Sequence, residues 1–249
     1  MRDVVRTRWL EFTGPLEGAG IPWLYADVRN LVTCAWGNLC DPLSSALQLP
    51  LMHPGGVPAS KAEITAAWLA VKGDPRAAKL GHLYAKSLTT IRLTREGMTD
   101  IALGKLHAND AILRGRIDGW EDLPACAQMA LHSLSWACGA AAHFPRLFSA
   151  VAAGDFDVAS IEIHMNEWTV DANGNRIKNF GLVPRNVANK ILMRNAARVQ
   201  AFHLDPDLLN WTSDLGVSDV PTLPELPVAD DYPHEDPTYV DEEPPKDAA

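Results

Sequence analysis

Two acidic residues near the start of the chain stand ten positions apart, Glu17 and Asp27, and a hydroxyl follows six residues later at Thr33. Glu17 is followed by Gly18 and falls just beyond a stretch that can form a helix. Asp27 falls inside a strand-turn-strand pattern. A carboxyl at a helix end and another on the adjacent hairpin can face each other across a cleft. Two oxygen acids so placed suit cleavage of a glycosidic bond, which needs one carboxyl protonated to donate to the leaving oxygen and a second ionised to activate water or attack the sugar. The roles separate when the two environments push the pKa values apart.

Other chemistry is less well supplied. Glu11 is a second acid on the first helix, but it lacks the following glycine and the downstream spacing. His164 and Glu167, three residues apart, have no second pair to complete a metal site, so a solvated helix face is the better reading. His132 lies between Ser133 and Ser135 in the most apolar segment of the chain, and neighbours on a helix point in different directions. There is no G-x-S-x-G elbow and no phosphate-cradling glycine loop. Cys34, Cys40, Cys126 and Cys138 form no C-x-x-C pair and keep no company with clustered histidines. They read as reduced thiols, Cys126 and Cys138 as small hydrophobes. No metal and no organic cofactor is expected.

The elements that would hold these residues can be read from pattern. Residues 1–15 form a short helix ended by Gly14-Pro15. Trp23–Val28 and Leu31–Trp36 alternate as two strands around Arg29-Asn30, a β-hairpin. After a Pro/Gly-rich loop from Pro50 to Pro58, the chain reads as helical to about residue 203. Ser60 and Glu63 make a capping box, and Thr94 caps a long helix with Met98, Ile101, Ala102, Leu106, Ile112 and Leu113 on one face. Pro124 opens a helix apolar nearly all round, hence central and buried. Shorter helices follow at Pro145–Gly154 and Phe156–Glu167, then the turn-rich loop Asp171–Asn175, and Pro184 opens the last helix. The fold class is α+β and mostly helical: a small hairpin lobe at about 16–42 beside a large helical lobe in a body spanning 1–205, with a cleft between them.

Of the 249 residues 47% are hydrophobic and 21% charged, enough to bury a core. The net charge of −9 is a property of the end of the chain. From Asp214 onward eleven acids face the single base Lys246, leaving the preceding 213 residues at +1. Nucleic acid is therefore not an expected partner. From 206 the prolines and acids give an acidic tail of disordered composition. No apolar run is long enough for a membrane span, and the basic N-terminus lacks the apolar region of a signal peptide. Synthesis in a bacterial cytoplasm without an export signal is the expectation.

Glu17-Gly18, Tyr25-x-Asp27, Leu31-Val32-Thr33 and Gly37-Asn38 resemble the signature of the phage-type lysozymes, glycoside hydrolase family 24 and its relatives. Gly181-Leu182-x-x-Arg185 with Leu192 resembles that family's late Gly-Leu-x-x-Arg-Arg-x-x-Glu-x-x-Leu motif. The two matches sit in the right order near opposite ends of a body running from about 8 to 200. The resemblance implies a lysozyme-like fold and an N-acetylmuramidase acting on bacterial peptidoglycan with inversion. It implies Glu17 as general acid, Asp27 as general base orienting a water, Thr33 holding that water, and Arg185 steadying Glu17 or meeting substrate. Tyr25, Trp36, Gly37 and Asn38 would contact substrate, although Tyr25 and Trp36 also suit a hairpin core. Such an enzyme would reach the wall through a holin-dependent route, a virion or a secretion machine. The sequence departs from the pattern at Ala35, where glycine is usual, and at Asn186 and Asn189, which replace arginine and glutamate. Those departures favour a second expectation, a non-catalytic glycan-binding or phage structural protein of the same fold. A third is action on a related polymer such as chitin.

Overall fold

A computed structural model describes residues 1–216 other than 19, 28 and 171–175. The fold is α+β. Helix α1 (Asp3–Glu17) leads into a three-stranded antiparallel sheet of β1 (Ile21–Ala26), β2 (Val32–Ala35) and β3 (Asn38–Leu39). Then come α2 (Leu43–Ala46), β4 (Leu51–Met52), α3 (Lys61–Gly73), α4 (Ala77–Ala85) and β5 (Arg92–Leu93), with β4 and β5 paired. The long helix α5 (Arg95–Arg114) is followed by α6 (Ala125–Cys138), α7 (Pro145–Ala152) and α8 (Phe156–Glu162). A short hairpin, β6 (Trp168–Val170) and β7 (Arg176–Lys178), precedes the last helix α9 (Val183–Ala201).

The first helix does not stop at Gly14-Pro15. It runs two residues further, to Glu17, with Pro15 inside its last turn, and is capped by Gly18, whose φ of 77° suits glycine. At that position the proline removes only a bond at the fraying end, and Glu17 becomes the terminal helical residue. The hairpin forms, with Tyr25 opposite Thr33 and Ala26 opposite Val32, but all four residues of β2 are buried instead of alternating, because the strand is central in the sheet. Its tight turn is closed by Asn30 N–H donating to the Asp27 carbonyl at 2.9 Å.

Two hydrophobic cores divide the body. The smaller joins Leu24, Val32 and Cys34 of the sheet and Cys40 just after it to Leu51, Ile64, Val71, Ala77 and Leu93. The small lobe is thus larger than the hairpin read from sequence, because α3 and α4 close over the sheet instead of joining the helical bundle. Capping of α3 follows the sequence: Ser60 Oγ accepts from Glu63 N–H, and Glu63 Oε2 accepts from Ser60 N–H at 2.8 Å. The larger core surrounds α6, whose residues from Ala125 to Trp136 are all buried against α9, α1 and α5. That stretch is apolar apart from Gln128, His132, Ser133 and Ser135, which are buried with it, so it presents no solvent face before Ala137.

Helix α5 serves both cores. Met98 and Ile101 near its start pack on the smaller one, while Ala102, Leu106 and Leu113 enter the larger. Ile112, expected on the same apolar face, is 44% exposed. Helix α8 ends at Glu162, so His164 and Glu167 lie beyond it instead of on a helix face. Cys138, expected to be buried, is exposed at the end of α6. Among the described residues no helix is long and apolar enough to cross a membrane. The turn-rich loop 171–175 and nearly all of the acidic tail lie outside the described residues.

Candidate functional site

Glu17 stands at the mouth of a cleft of about 330 Å³, at the small end of ligand-pocket volumes (roughly 300–1,000 Å³). Its walls are Leu16 of α1, Gly37 of the β2–β3 turn, Lys105 of α5, Trp136 and Ala137 of α6, and Asn179, Gly181, Leu182 and Arg185 before and within α9. The cleft therefore opens where the small sheet meets the helical lobe. Gly37 has φ 73°, and a β-carbon there would stand 3.7 Å from Glu17 Oε2. The positive φ of the turn favours glycine, while the space beside Glu17 would take a β-carbon at ordinary contact distance.

Arg185 holds the acid from beneath. The residue is 2% exposed. Its Nη2 donates to Glu17 Oε1, while Nη1 donates to Ser133 Oγ at 3.0 Å. The late Gly-Leu-x-x-Arg spacing accounts for this arrangement. Gly181 lines the cleft, Leu182 anchors in the large core, and one turn later the guanidinium points at Glu17. Replacing Arg185 with Met is expected to destabilise the protein by about 2 kcal/mol, the usual cost of unpairing a buried charge discounted because the Glu17 side chain keeps 24% exposure. Thermal unfolding should then shift down by about 4–8 °C; an unmoved midpoint would show that the pair contributes nothing to the fold.

Burial pushes the Glu17 carboxyl above the ordinary glutamate range, against the opposing pull of Arg185 and Lys105. The contrast with Glu11 is sharp. Glu11 is solvated and hydrogen-bonded to Arg8 at 2.7 and 3.0 Å, which holds its pKa below the usual value. Of the two helix acids, only Glu17 is shifted upward.

Lys105 is the site residue that the sequence reading missed. Its ammonium lies 4.0 Å from the Trp136 ring centroid, and burial lowers its pKa while Glu17 raises it. Because its positive charge draws the Glu17 pKa down, Lys105→Met should raise that pKa. A Glu17-dependent activity should then persist to higher pH, so the alkaline limb of a pH–rate profile moves upward. A limb that stays put or moves down would show that Lys105 does not act on Glu17.

Tyr25 and Thr33 are cross-strand partners in the hairpin. The Tyr25 phenol is raised by burial, opposed by the adjacent Thr33 hydroxyl, and raised further by the charges of Glu17 and Asp27. It therefore lies within the field of both carboxyls. Asp27 occupies the hairpin turn, where its Oδ1 accepts from Arg29 N–H at 2.9 Å and Leu31 N–H at 2.8 Å. Those bonds fix the carboxyl and leave Oδ2, 3.7 Å from Arg29 Nε, as its second oxygen.

Of the predicted site residues, Glu17, Gly37 and Arg185 line the cleft; Tyr25, Asp27, Thr33, Trp36 and Asn38 do not. The Trp36 indole lies on Gly20, where a β-carbon would come within 2.9 Å of the ring, and it packs against both cores. Asn38 is buried, 6% exposed. Ala35 adopts φ 49°, a left-handed conformation that costs a non-glycine residue about 1–2 kcal/mol. This gives a physical reason for glycine in the pattern it departs from. Asn186 is also accommodated: its side chain accepts from Met165 N–H at 3.0 Å and donates to Glu167 Oε1 at 3.0 Å. Asn189 is fully buried with no hydrogen-bond partner for its amide among the described residues; nothing in the structure explains it.

A larger cavity of about 560 Å³ lies elsewhere, between Leu123, Val151, Phe156, Val199 and Leu204. Its walls are largely apolar and none of the predicted site residues reaches it. Among the described residues no cluster of histidine, cysteine and acid side chains has metal-site geometry. No protein-family model, curated protein or solved structure matches the chain.

Proposed function

We propose that this protein is a muramidase with a lysozyme-like fold, cleaving the glycan strand of bacterial peptidoglycan. The observation that carries the reading is Glu17: a carboxyl at a helix end, desolvated and raised in pKa, held by a buried arginine in a cleft walled partly by the β2–β3 turn. A glycosidic bond would lie in the cleft with its bridging oxygen toward Glu17. The Glu17 proton passes to that oxygen as the C–O bond breaks. A water held by Thr33 gives its proton to Asp27 as its oxygen bonds to the anomeric carbon, and exchange with solvent restores both carboxyls. Attack from the face opposite the leaving group gives inversion. Gly37 lets a sugar approach backbone at the cleft wall, and Trp136 presents an apolar surface beside the Lys105 charge.

Non-catalytic glycan binding is favoured by one feature, the engagement of Asp27 Oδ1 by the turn. The deciding experiment is loss of turbidity of purified bacterial walls, with new reducing ends counted. Clearance by the parent and its loss in Glu17→Gln supports the muramidase. Binding without new reducing ends from the parent selects the second reading. Faster release of reducing ends from chitin than from peptidoglycan would reassign the substrate.

A further inference from the structure

The hairpin β6–β7 carries two aromatic side chains that no core receives. Phe180, just past β7, is 74% exposed, and Trp168 at the start of β6 is 42% exposed. Single exposed apolar residues are ordinary, but two large rings close together on one small hairpin mark a contact surface. Cations accompany them. The Arg176 guanidinium lies 4.5 Å from the Trp168 ring centroid, and the Lys178 ammonium lies 5.9 Å from both rings.

The surface is tied to the cleft. Asn179 and Gly181, the neighbours of Phe180 in the chain, both line the cleft that holds Glu17. Glu167 fixes the base of the hairpin: it meets Lys178 Nζ at 3.2 Å, and Asn186 of α9 donates to it. Arg176 has no carboxylate partner among the described residues.

Flat rings with nearby cations suit a ligand that presents C–H faces and acidic groups together. A pyranose lays its axial C–H face on an aromatic ring, and carboxylates take charge-assisted hydrogen bonds from Arg and Lys. A lipid surface shares the charge preference. However, Arg176, Lys178 and Asn179 interrupt the apolar surface, which lacks the continuous apolar face of a membrane-seated element. The observations favour an acidic glycan.

We propose that Trp168 and Phe180, with Arg176 and Lys178, form an outlying subsite that grips a carboxylate-bearing amino-sugar polymer beyond the bond held at Glu17. This inference rests on the wall-hydrolase reading. It assigns the hairpin to retention of the polymer, outside the chemical step.

Co-sedimentation with purified sacculi tests it, using full-length protein carrying Glu17→Gln so that the strands persist. Anionic phosphatidylglycerol vesicles run in parallel, and wall clearance is measured with the active parent. Phe180→Leu and Trp168→Leu should each weaken binding to sacculi by about tenfold, roughly the effect of losing one good anchor. Phe180→Tyr keeps the ring and should retain binding, which separates stacking from loss of apolar area or of folding. Vesicles should retain none of the proteins. Unchanged binding of both Leu variants while the parent clears walls overturns the subsite alone. Retention on vesicles that the Leu variants abolish overturns it in favour of a membrane contact. A parent that neither clears nor binds walls overturns the hydrolase reading and the subsite with it.

Discussion

Glu17→Gln should slow clearance of bacterial walls by a hundredfold or more, the range expected when a general acid is removed, with the fold intact. The amide is nearly isosteric, and its oxygen still accepts from Arg185 Nη2, so the buried guanidinium keeps a partner. The loss would then be chemical. The pH dependence of the parent gives a second reading of the same group. A general acid works while protonated, and Glu17 is raised by burial, so activity should extend above the pH where an ordinary glutamate has ionised and fall as pH rises through the elevated pKa. Equal clearance by parent and variant would remove Glu17 from the chemistry. Glu11 would be a poor substitute, because its pairing with Arg8 keeps it ionised.

Much of this arrangement is local and therefore visible in sequence. The capping box at Ser60 and Glu63, the Thr94 cap and the apolar circumference of α6 each depend on residues within a few positions of one another. The hairpin is visible for the same reason. What sequence hides is set by distant contacts. Strands β4 and β5 are two residues each and pair across some forty positions, too short to show a period. Helices α3 and α4 have ordinary amphipathic patterns that do not say which core they cover. Pro15 reads as a stop, yet it falls so near the helix end that one more residue pair continues the turn. Lys105 reads as one more exposed lysine on a long helix; only the passage of α5 between both cores brings it against Trp136 and Glu17. Arg185 is visible through its motif spacing, but its grip on Ser133 depends on the packing of α9 against α6.

Asp27→Asn should lower wall clearance by a hundredfold or more while leaving thermal stability within about 2 °C of the parent, a surface-sized change. The substitution separates two roles that one side chain combines. Asp27 Oδ1 accepts two backbone N–H bonds that shape the hairpin turn, and the amide oxygen of asparagine accepts the same pair. The ability to take a proton from water is lost, because an amide is not a base near neutral pH. The Arg29 guanidinium lies at 3.7 Å on an exposed side chain, so losing its carboxylate partner has little effect on stability. Asp27→Ala provides the complement, removing turn and base together, and should lower both activity and melting temperature. If Asp27→Asn clears walls at the parental rate, Asp27 is a turn residue only, and the ionised partner of Glu17 lies elsewhere. Loss of clearance with an unchanged melting temperature assigns the carboxylate to the reaction, and the two backbone N–H bonds to Oδ1 then explain what holds it in place.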